Sequence, residues 1–566
     1  MASIFWFIIL IGILIFVHEG GHFLFAKLFN VRVLTFSLGF GGPVRIGRYR
    51  ASWQPGETEY RIAWFPIGGF VRMLGDDPTQ DIAATDQPRA FLTQPAWKRF
   101  LIIFGGPLFS ILLAVPIYFG YHLLRAEAAA PVVGRVVPGA PADEAGIRYG
   151  DRVVAIGGES TETWEEVDEA IQDHGGGEPV EVRVERGEKQ LAFEIDPVRE
   201  LDETGLELLG ERWDLGLRHH RLGNTIGVVE PDSPAARAGL QSWDRLLELD
   251  GQTIDGWAEA RRLMRENGLQ PLSVEVVRAA DVRIGAVTIR VPVLKRALID
   301  PVAAARAPPG TRVYGAAYTG IEPISLYVHG VLDDFPAKAA GIRPNDKIVA
   351  IGGQPIRSWE QFSRYVVAHA DSSIPVEVRH QGRIEKLTLK PKIIETTNEF
   401  KQVTRKPGLG VSYRPSLLAG EVITRPDRLS YALEMSVVQT WRAITMNIRG
   451  FVRIFEGRVA ATEAIGGPIM ILDVAGKSAA KGIGTFLSIM AFLSVLLGLL
   501  NLLPIPILDG GHILFIVIEA IRRKPLSLNA RMTASYVGLL LLISLMAFAF
   551  YNDISRYWSD ITSFFG

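Results

Sequence analysis

The sequence predicts a polytopic α-helical membrane protein with about four transmembrane helices, a membrane-associated β-hairpin region and three repeated α+β domains outside the membrane. Hydrophobic residues make up 48% of the 566 residues, which is high for a wholly soluble protein. Four apolar stretches are each long enough to cross roughly 30 Å of hydrocarbon. A pattern of proline, glycine, aspartate, glycine and tryptophan recurs three times between the second and third stretches.

The apolar stretches define a predicted topology. They cover about residues 2–28, 100–124, 483–508 and 532–551. Basic residues concentrate in the first and third connections between them, as at Lys98, Arg99, Arg522 and Arg523. Because positively charged loops stay in the cytoplasm, we expect both connections to be cytoplasmic and the long segment 125–482 to lie outside. The first and third helices would then both run from outside to inside.

The exterior segment contains an internal repeat. The three copies carry the same residue types at the same spacing: Pro141, Gly146, Asp151, Gly158 and Trp164; Pro234, Gly239, Asp244, Gly251 and Trp257; and Pro336, Gly341, Asp346, Gly353 and Trp359. Three matching copies are hard to obtain by chance. Each copy predicts a short strand, a small helix at the proline, a glycine turn, a strand, a second helix after the tryptophan and a closing strand.

Two further segments have recognisable patterns. Residues 36–74 are rich in glycine and aromatics with apolar alternation, which predicts a β-hairpin whose apolar faces dip into the membrane. Between residues 429 and 466, apolar residues recur at helical spacing among charges, which indicates an amphipathic helix. That helix could lie at the membrane interface or pack against the repeats, and the pattern favours neither.

The first apolar stretch contains a His-Glu-x-x-His motif formed by His18, Glu19 and His22. Charged groups near a bilayer centre cost about 2.5–3.5 kcal/mol on insertion scales, so the motif marks a site facing protein or water. At positions i and i+4 the two imidazoles project from one helical face, where one zinc ion can bind both, and Glu19 is a candidate base. The alternative is an inert helix bundle joined by hydrogen bonds. A catalytic site requires a third ligand.

Asp509 is the candidate third ligand. His18 follows about 16 apolar residues, or roughly 24 Å of helix, which places it towards the cytoplasmic side. Asp509 closes the third apolar stretch, which runs in the same direction, so the two side chains should reach a similar depth. Pro504 and Pro506 disfavour helix before them and predict an unwound end of this helix. Such backbone is tolerated in a membrane only where it is buried in protein or lines a wet cavity.

Composition narrows the function classes. The formal net charge of −1 gives no basic field that would recruit nucleic acid. The chain has no cysteine, so disulfides and thiolate ligands are excluded and metal chemistry depends on histidine and carboxylates. The N-terminal apolar run has no basic n-region and no small-residue cleavage site, so we expect it to be retained rather than removed as a signal peptide.

Together these motifs resemble the site-2 protease family of intramembrane zinc metalloproteases, and its bacterial RseP-like group in particular. The resemblance covers nearly the whole chain and rests on VHEGGHFLFAKLFNVRV, FSLGFG, FPIGGFVRMLGDD, FGGPLFS, GGPIMI and NLLPIPILDGGH. It implies that the repeats are PDZ domains, which that group carries between its second and third spans. It also implies a multi-pass protein of the bacterial inner membrane, with extracytoplasmic PDZ domains and an active site towards the cytoplasm.

The resemblance assigns roles to particular residues. His18, His22 and Asp509 match the Zn²⁺ ligands, and Glu19 matches the catalytic general base. Zinc with three protein ligands keeps a fourth coordination position for water, which a nearby carboxylate can deprotonate.

Further positions match or depart from the family. Asn501 matches a residue thought to hold the substrate backbone, and Pro504 and Pro506 belong to the same substrate-binding turn. Ser110 stands where relatives often have asparagine, which puts any polar contact there in doubt. Relatives commonly carry one or two PDZ domains, whereas three copies are present here.

The predicted domains follow from these assignments. They are a first membrane part at 1–125, PDZ-like domains at 126–200, 212–297 and 318–413, amphipathic interfacial helices at 428–481 and a second membrane part at 482–566. We expect an enzyme that hydrolyses peptide bonds in transmembrane segments of single-span proteins, such as pre-trimmed anti-sigma-factor-like proteins or signal-peptide remnants. Its other expected partners are membrane lipids and, at the PDZ-like domains, peptide C-termini.

Two other functions are compatible with parts of the pattern. The first is a catalytically silent membrane scaffold whose PDZ array binds exposed C-termini. The complete set of three ligands and a base argues against it, because a scaffold has no need of all four. A transporter with an ion site is disfavoured because the membrane spans are not repeated.

Overall fold

A computed structural model describes most of the chain. The described residues are 2–47, 49–77, 82–124, 127–174, 176, 178–200, 212–228, 230–284, 287–397, 403–424, 427–457, 462, 465–524 and 526–565. The predicted boundary residues 1, 125, 126 and 566 lie outside this set. The described chain consists of a helical membrane part, formed from both ends of the sequence, and a block of three repeated α+β units between them.

Three helices form the first membrane part: α1, Ala2–Leu28; α2, Ala96–Leu112; and α3, Ala114–Leu124. The second predicted span is therefore interrupted only at Leu113, which itself keeps helical backbone angles. Pro116 explains the break, because it has no N–H to donate to the carbonyl group four residues earlier. Helix α1 packs beside this span, and its Leu10 and Leu14 are buried in a core that also contains Ala114 of α3.

The predicted hairpin is present as strand Val33–Pro43 paired with strand Glu59–Met73. Residues 35–38 of the first strand pair with both segments 59–62 and 69–72 of the second. Large apolar side chains at the far end are exposed, including Trp64 at 57% and Phe65 at 65%. These side chains suit contact with lipid, as the alternation predicts.

Ion pairs hold the base of the hairpin. The Arg89 guanidinium donates a 2.6 Å hydrogen bond to the Glu57 carboxylate, and the Lys27 ammonium donates another at 3.1 Å. Arg89 is the largest influence and, with Lys27, lowers the pKa of Glu57 to about 2 against the opposing effect of burial. The hairpin is therefore tied to the end of α1.

Each repeat forms a four-stranded antiparallel sheet with two helices. The helices are α4, Pro141–Ala145, and α5, Trp164–His174; α6, Pro234–Arg237, and α7, Trp257–Asn267; and α8, Pro336–Ala339, and α9, Trp359–Ala368. The first sheet has the order Lys189–Ile195, Val180–Arg186, Arg152–Ile156, Glu159–Ser160. The other two are Gln252–Thr253, Arg245–Leu249, Leu272–Ile284, Val287–Ile299 and Gln354–Pro355, Lys347–Ile351, Ile374–His380, Arg383–Leu389.

The residues that define the repeat have structural roles. Trp164, Trp257 and Trp359 are each buried in the core of their own unit. Asp151 accepts two 2.7 Å hydrogen bonds from Arg186 on the next strand. Asp244 pairs with Arg278 in the same way, and in the third unit Asp346 pairs with His380 instead.

The cores of the first two units extend beyond the predicted boundaries. Leu217 belongs to the first core although the predicted end was residue 200, and Ile321 belongs to the second although the predicted end was residue 297. The cores extend because, in each unit, a two-residue strand near the C-terminal end pairs with a strand near the beginning. These pairs are Arg135–Val136 with Leu217–Arg218, Ile226–Gly227 with Glu322–Pro323, and Gly330–Val331 with Val411–Ser412. Strands of two residues carry no periodicity from which the pairing could be predicted.

Buried ion pairs join the second and third units. The Arg379 guanidinium donates to the Glu230 carboxylate, and the Lys347 ammonium donates to the Glu322 carboxylate. The four side chains are at most 11% exposed. Removal of one partner would leave a buried unpaired charge, so the two units are held in one arrangement.

Further contacts attach the repeat block to the membrane part. Strand Glu127–Ala129, where the chain enters the block, pairs with strand Val422–Thr424, where it leaves. Helix α10, Arg428–Phe455, packs on α3, and its Arg442 donates a 3.1 Å hydrogen bond to Glu169 of α5. The amphipathic helix therefore contacts both the membrane helices and the first repeat, with Trp441 still 64% exposed.

The second membrane part contains α11, Pro468–Lys481; α12, Ile483–Asn501; α13, Asp509–Arg522; and α14, Leu528–Phe565. By length and composition, four described helical segments could cross a membrane: Ala2–Leu28, Ala96–Leu124, Ile483–Asn501 and Leu528–Trp558. Within the most apolar stretch of the last segment only 6% is buried inside the protein, so most of the surface of this helix suits contact with lipid. The buried Asp553 of α14 accepts hydrogen bonds from the backbone N–H groups of Gly467, Ile469 and Met470 at the start of α11.

Helices α1 and α2 approach each other most closely at glycines. A Cβ atom added to Gly21 would lie 2.1 Å from the Gly105 carbonyl oxygen, and one added to Gly106 would lie 2.3 Å from Nε2 of His22. Gly20, by contrast, has no neighbour within 4 Å of an added Cβ. Small residues of this kind allow membrane helices to pack backbone to backbone.

Gly21→Ala should therefore force α1 and α2 apart. We expect it to lower the free energy of unfolding by about 1–3 kcal/mol, the usual cost of overpacking a core. The measurement is the unfolding temperature of the purified protein in detergent. Gly20→Ala is the matched control and should unfold at or above the temperature of the unmodified protein, because alanine also favours helix. Equal destabilisation by both substitutions would contradict the close contact at Gly21.

Candidate metal centre

His18, His22 and Asp509 lie together although Asp509 is far away in sequence. Nε2 of His18 is 3.2 Å from Oδ2 of Asp509, and Nε2 of His22 is 3.5 Å from the same oxygen. The side chains are 10%, 9% and 17% exposed, respectively. The structure thus brings together the three side chains that the sequence predicts to converge.

The other ring nitrogen of each histidine has its own hydrogen-bond partner. Nδ1 of His22 donates to the Ile102 carbonyl oxygen at 2.9 Å. Nδ1 of His18 forms a 2.9 Å hydrogen bond with the Ser110 hydroxyl. The Ser110 carbonyl oxygen in turn accepts a 2.6 Å hydrogen bond from Ser494 on α12. These contacts hold both rings with Nε2 directed towards Asp509, as partners of metal-binding histidines do.

The donor set fits a divalent metal ion. In a neutral His22 ring whose Nδ1 carries the proton, Nε2 has a lone pair that points at the Asp509 carboxylate. The hydrogen bond between Nδ1 of His18 and Ser110 allows the same tautomer for His18. The ligand atoms of the three residues all lie within 4.8 Å of one another. Oδ2 of Asp509 is buried and accepts no hydrogen bond from any described residue. A cation would offset this convergence of lone pairs, and two imidazoles with one carboxylate suit zinc.

The local sequence explains how Asp509 reaches the histidines. Helix α12 ends at Asn501 and α13 begins at Asp509, so the predicted unwound segment is confirmed. The segment folds back against the start of α13. A Cβ atom added to Gly510 would lie 2.3 Å from the carbonyl oxygens of Leu502 and Leu503, so this approach requires glycine.

Glu19 lies on α1 between the metal-binding cluster and the hairpin. It is 9% exposed, and its carboxylate makes no hydrogen bond within the described part of the chain. A Cβ atom added to Gly69 of the hairpin would lie 2.9 Å from Cγ of Glu19. The carboxylate is therefore next to the hairpin backbone and is not engaged in a competing polar contact.

The remaining predicted site residues lie in or beside the unwound segment. The Asn501 side-chain amide donates a 3.1 Å hydrogen bond to the Leu497 carbonyl oxygen in its own helix. Pro504 is exposed, and Pro506 is partly buried next to Gly538 of α14. None of the three belongs to the cluster of possible ligand atoms.

Several contributors to the site were not predicted as such. Ser110 appeared in the sequence only as a departure from a family pattern, yet serine makes the contact with His18. Ile102 contributes a backbone carbonyl, which leaves no signal in side-chain identity. The glycine pair Gly105 and Gly106 carried a usable signal, because adjacent glycines in an apolar span indicate close helix contact.

Apolar helices that enclose a cluster of two imidazoles and one carboxylate fit the class of membrane-embedded metalloenzymes. The family model of peptidase family M50 matches residues 6–545 of this chain. The chain belongs to this family.

Full-length relatives agree with this assignment. A putative zinc metalloprotease of Neisseria meningitidis serogroup A is 29% identical over 98% of this chain and 99% of its own length. The regulator of sigma-E protease RseP of Escherichia coli K12 is 27% identical over 98% of this chain and 100% of its own length. Among solved structures, the PDZ domain of an SdrC-like protein of Listeria monocytogenes is similar over 16% of this chain and 85% of that domain, with 27% identity and a TM-score of 0.13. The predicted site-2 protease family, metalloprotease class and intramembrane zinc-protease function are confirmed by the family and these full-length relatives.

Ser110→Ala should weaken metal binding, because it removes the hydroxyl that orients His18. We expect about a 10- to 100-fold loss of affinity, the usual effect of losing the hydrogen-bond partner of a metal ligand. Competition with a fluorescent chelator on the purified protein measures it. Ser544→Ala is the matched control, since among the described residues that hydroxyl donates only to Leu540 of its own helix. Unchanged affinity in Ser110→Ala would show that the contact does not orient the ring.

Proposed function

We propose that His18, His22 and Asp509 hold one catalytic zinc ion and that Glu19 is the general base for cleavage of transmembrane segments. The observation that carries this proposal is the convergence of two Nε2 atoms and one carboxylate within the helix bundle. The names of the full-length relatives support zinc as the metal. Three protein ligands leave a coordination position open, as in catalytic zinc sites.

The chain's own residues account for the proton transfers. When bound, zinc lowers the pKa of a coordinated water and polarises the scissile carbonyl. Glu19 accepts the proton that the attacking water loses and returns it to the leaving amine. Its freedom from other hydrogen bonds suits a group that must gain and lose a proton. The partners of Nδ1 at Ile102 and Ser110 keep the two histidines aligned during this cycle.

We assign the hairpin and the unwound segment between α12 and α13 as the surfaces that bind the substrate. A helical peptide bond is sterically closed to attack, so the substrate must unwind locally. A substrate strand added to the hairpin near Gly69 would lie beside Glu19, because the two residues are in contact range. Asn501 would hold the substrate backbone from the opposite side, and Pro504 and Pro506 keep its surroundings irregular.

The proposed location is the bacterial inner membrane, with the repeats outside and the metal centre towards the cytoplasm. The basic residues of the first and third connections support this orientation. We assign the repeats as three PDZ-like domains at approximately 127–218, 221–323 and 326–413, because strand Leu217–Arg218 closes the first unit and strand Glu322–Pro323 closes the second.

We assign the repeat block a role in size exclusion, so that only substrates with shortened exterior domains reach the metal centre. The buried ion pairs Arg379–Glu230 and Lys347–Glu322 support this role, because they make two of the units a rigid obstacle. Delivery of a bound peptide tail is the alternative and would raise the local substrate concentration. The silent scaffold is a separate alternative and predicts no metal-dependent cleavage.

Glu19→Gln should retain zinc and lose cleavage, because the amide preserves the side-chain shape but cannot accept the proton. We expect cleavage of a single-span substrate to fall by about 10²- to 10⁴-fold, the usual contribution of general base catalysis. His22→Ala is the comparison and should lose both zinc and cleavage. Elemental analysis beside the cleavage assay separates the two effects. Full activity in Glu19→Gln would refute the assigned base.

The orientation is testable with single thiols, because the chain contains no cysteine. Ser160 lies on the exposed surface of the first repeat, and Ser527 lies in the exposed turn before α14. We expect Ser160→Cys to react with a membrane-impermeant reagent added outside spheroplasts, and Ser527→Cys to react only after permeabilisation. Outside labelling of Ser527→Cys would reverse the placement of the metal centre.

A further inference from the structure

A cavity of about 750 Å³ lies where the three repeat units meet. The first unit contributes Arg148 and its neighbours, the second contributes the beginning of α7, and the third contributes the beginning of α9. Its volume is in the range of sites that hold a ligand of a few residues. None of the proposed catalytic residues lines it.

Positive charge dominates the cavity. Seven arginines and four acidic residues line it. Some of the arginines are paired, as in the 2.8 Å contact between Arg135 and Glu360. Arg148, Arg261 and Arg312 form no ion pair with any described residue. The excess of arginine around one cavity therefore suits a ligand that carries negative charge.

Two backbone features add hydrogen-bond donors. Helices α7 and α9 both begin at the cavity, so the positive ends of their dipoles face it.

The lining also contains an apolar part. Val136, Pro138, Leu222 and Pro323 contribute to the same cavity. A small inorganic anion would leave this surface unused, whereas a peptide with alternating acidic and apolar side chains would contact both kinds of surface. We propose that the junction of the three repeat units binds an acidic peptide segment with interspersed apolar side chains.

The site differs from the groove in which a single PDZ domain captures a strand. That mode adds a peptide to a sheet edge within one domain. Here α5 contributes no lining residue, α7 contributes residues from its first half, and α9 contributes its first two residues. The site exists only when all three units are present, and the ion pairs between units preform it.

The test uses full-length protein in detergent and the blocked, fluorescein-labelled hexapeptide ELELEL as the probe. Blocked ends exclude capture through a terminal carboxylate. Fluorescence anisotropy should show saturable binding that weakens as salt is added. The blocked hexapeptide KLKLKL should not bind.

The decisive variant is the double substitution Arg261→Gln and Arg312→Gln. Both side chains are exposed and unpaired in the described structure, so the fold should be retained. We expect the dissociation constant for the probe to rise by about tenfold, since each exposed ion pair contributes a few-fold. Arg148→Gln, from the first unit, should also weaken binding, as a site shared between units requires.

The matched control is Arg245→Gln with Arg306→Gln. These arginines are also exposed and unpaired among the described residues, belong to the same part of the chain and do not line the cavity. The control removes the same charge and should leave affinity unchanged. Zinc content should be unaltered in every variant, so this test is independent of the catalytic assignment.

Three results would overturn the proposal. The first is equal loss of affinity in the control and in the cavity variant, which would indicate general electrostatic attraction. The second is unchanged affinity in the cavity variant. The third is displacement of the probe by inorganic phosphate at matched charge concentration, which would indicate a site for small anions.

Discussion

The contact between α1 and α2 is the constraint on which the candidate metal centre depends. The two helices meet backbone to backbone at Gly21 and Gly105, where a single added carbon would clash. At this distance α2 supplies the Ile102 carbonyl and the Ser110 hydroxyl to the histidines of α1. Wider spacing would remove both hydrogen bonds and leave the imidazoles free to rotate. Glycine at the contact is thus a condition for the proposed chemistry.

A second constraint brings Asp509 to the histidines from the far end of the chain. If α12 continued as a helix, its last carbonyl groups would be engaged in helical hydrogen bonds. The backbone would then run past the candidate site without turning towards the histidines. The prolines at 504 and 506 end the helix, and Gly510 lets the freed carbonyls approach the start of α13. The cost of irregular backbone in a membrane is offset because the segment packs against protein.

The repeat block is arranged as one unit rather than as three independent modules. Buried charges are a weak source of stability but a strong source of specificity when their removal would leave a partner unpaired. The pairs Arg379–Glu230 and Lys347–Glu322 fit that description. A fixed arrangement is what the proposed size exclusion requires, and the junction of the three units forms an arginine-lined cavity. The two proposed roles are compatible, because one uses the outline of the block and the other uses its interior junction.

The sequence by itself determined the membrane class, the repeat and the identity of the candidate ligands. These follow from local patterns: uncharged runs, identical spacings in three copies, and two histidines on one helical face. The proline-induced end of α12 was likewise a local property. Only the tertiary structure decided that Ser110 contacts His18, that α10 touches both membrane helices and the first repeat, and that two-residue strands extend the first two repeat cores. Such features depend on partners distant in sequence or on backbone atoms, and neither leaves a periodic signal in the order of side chains.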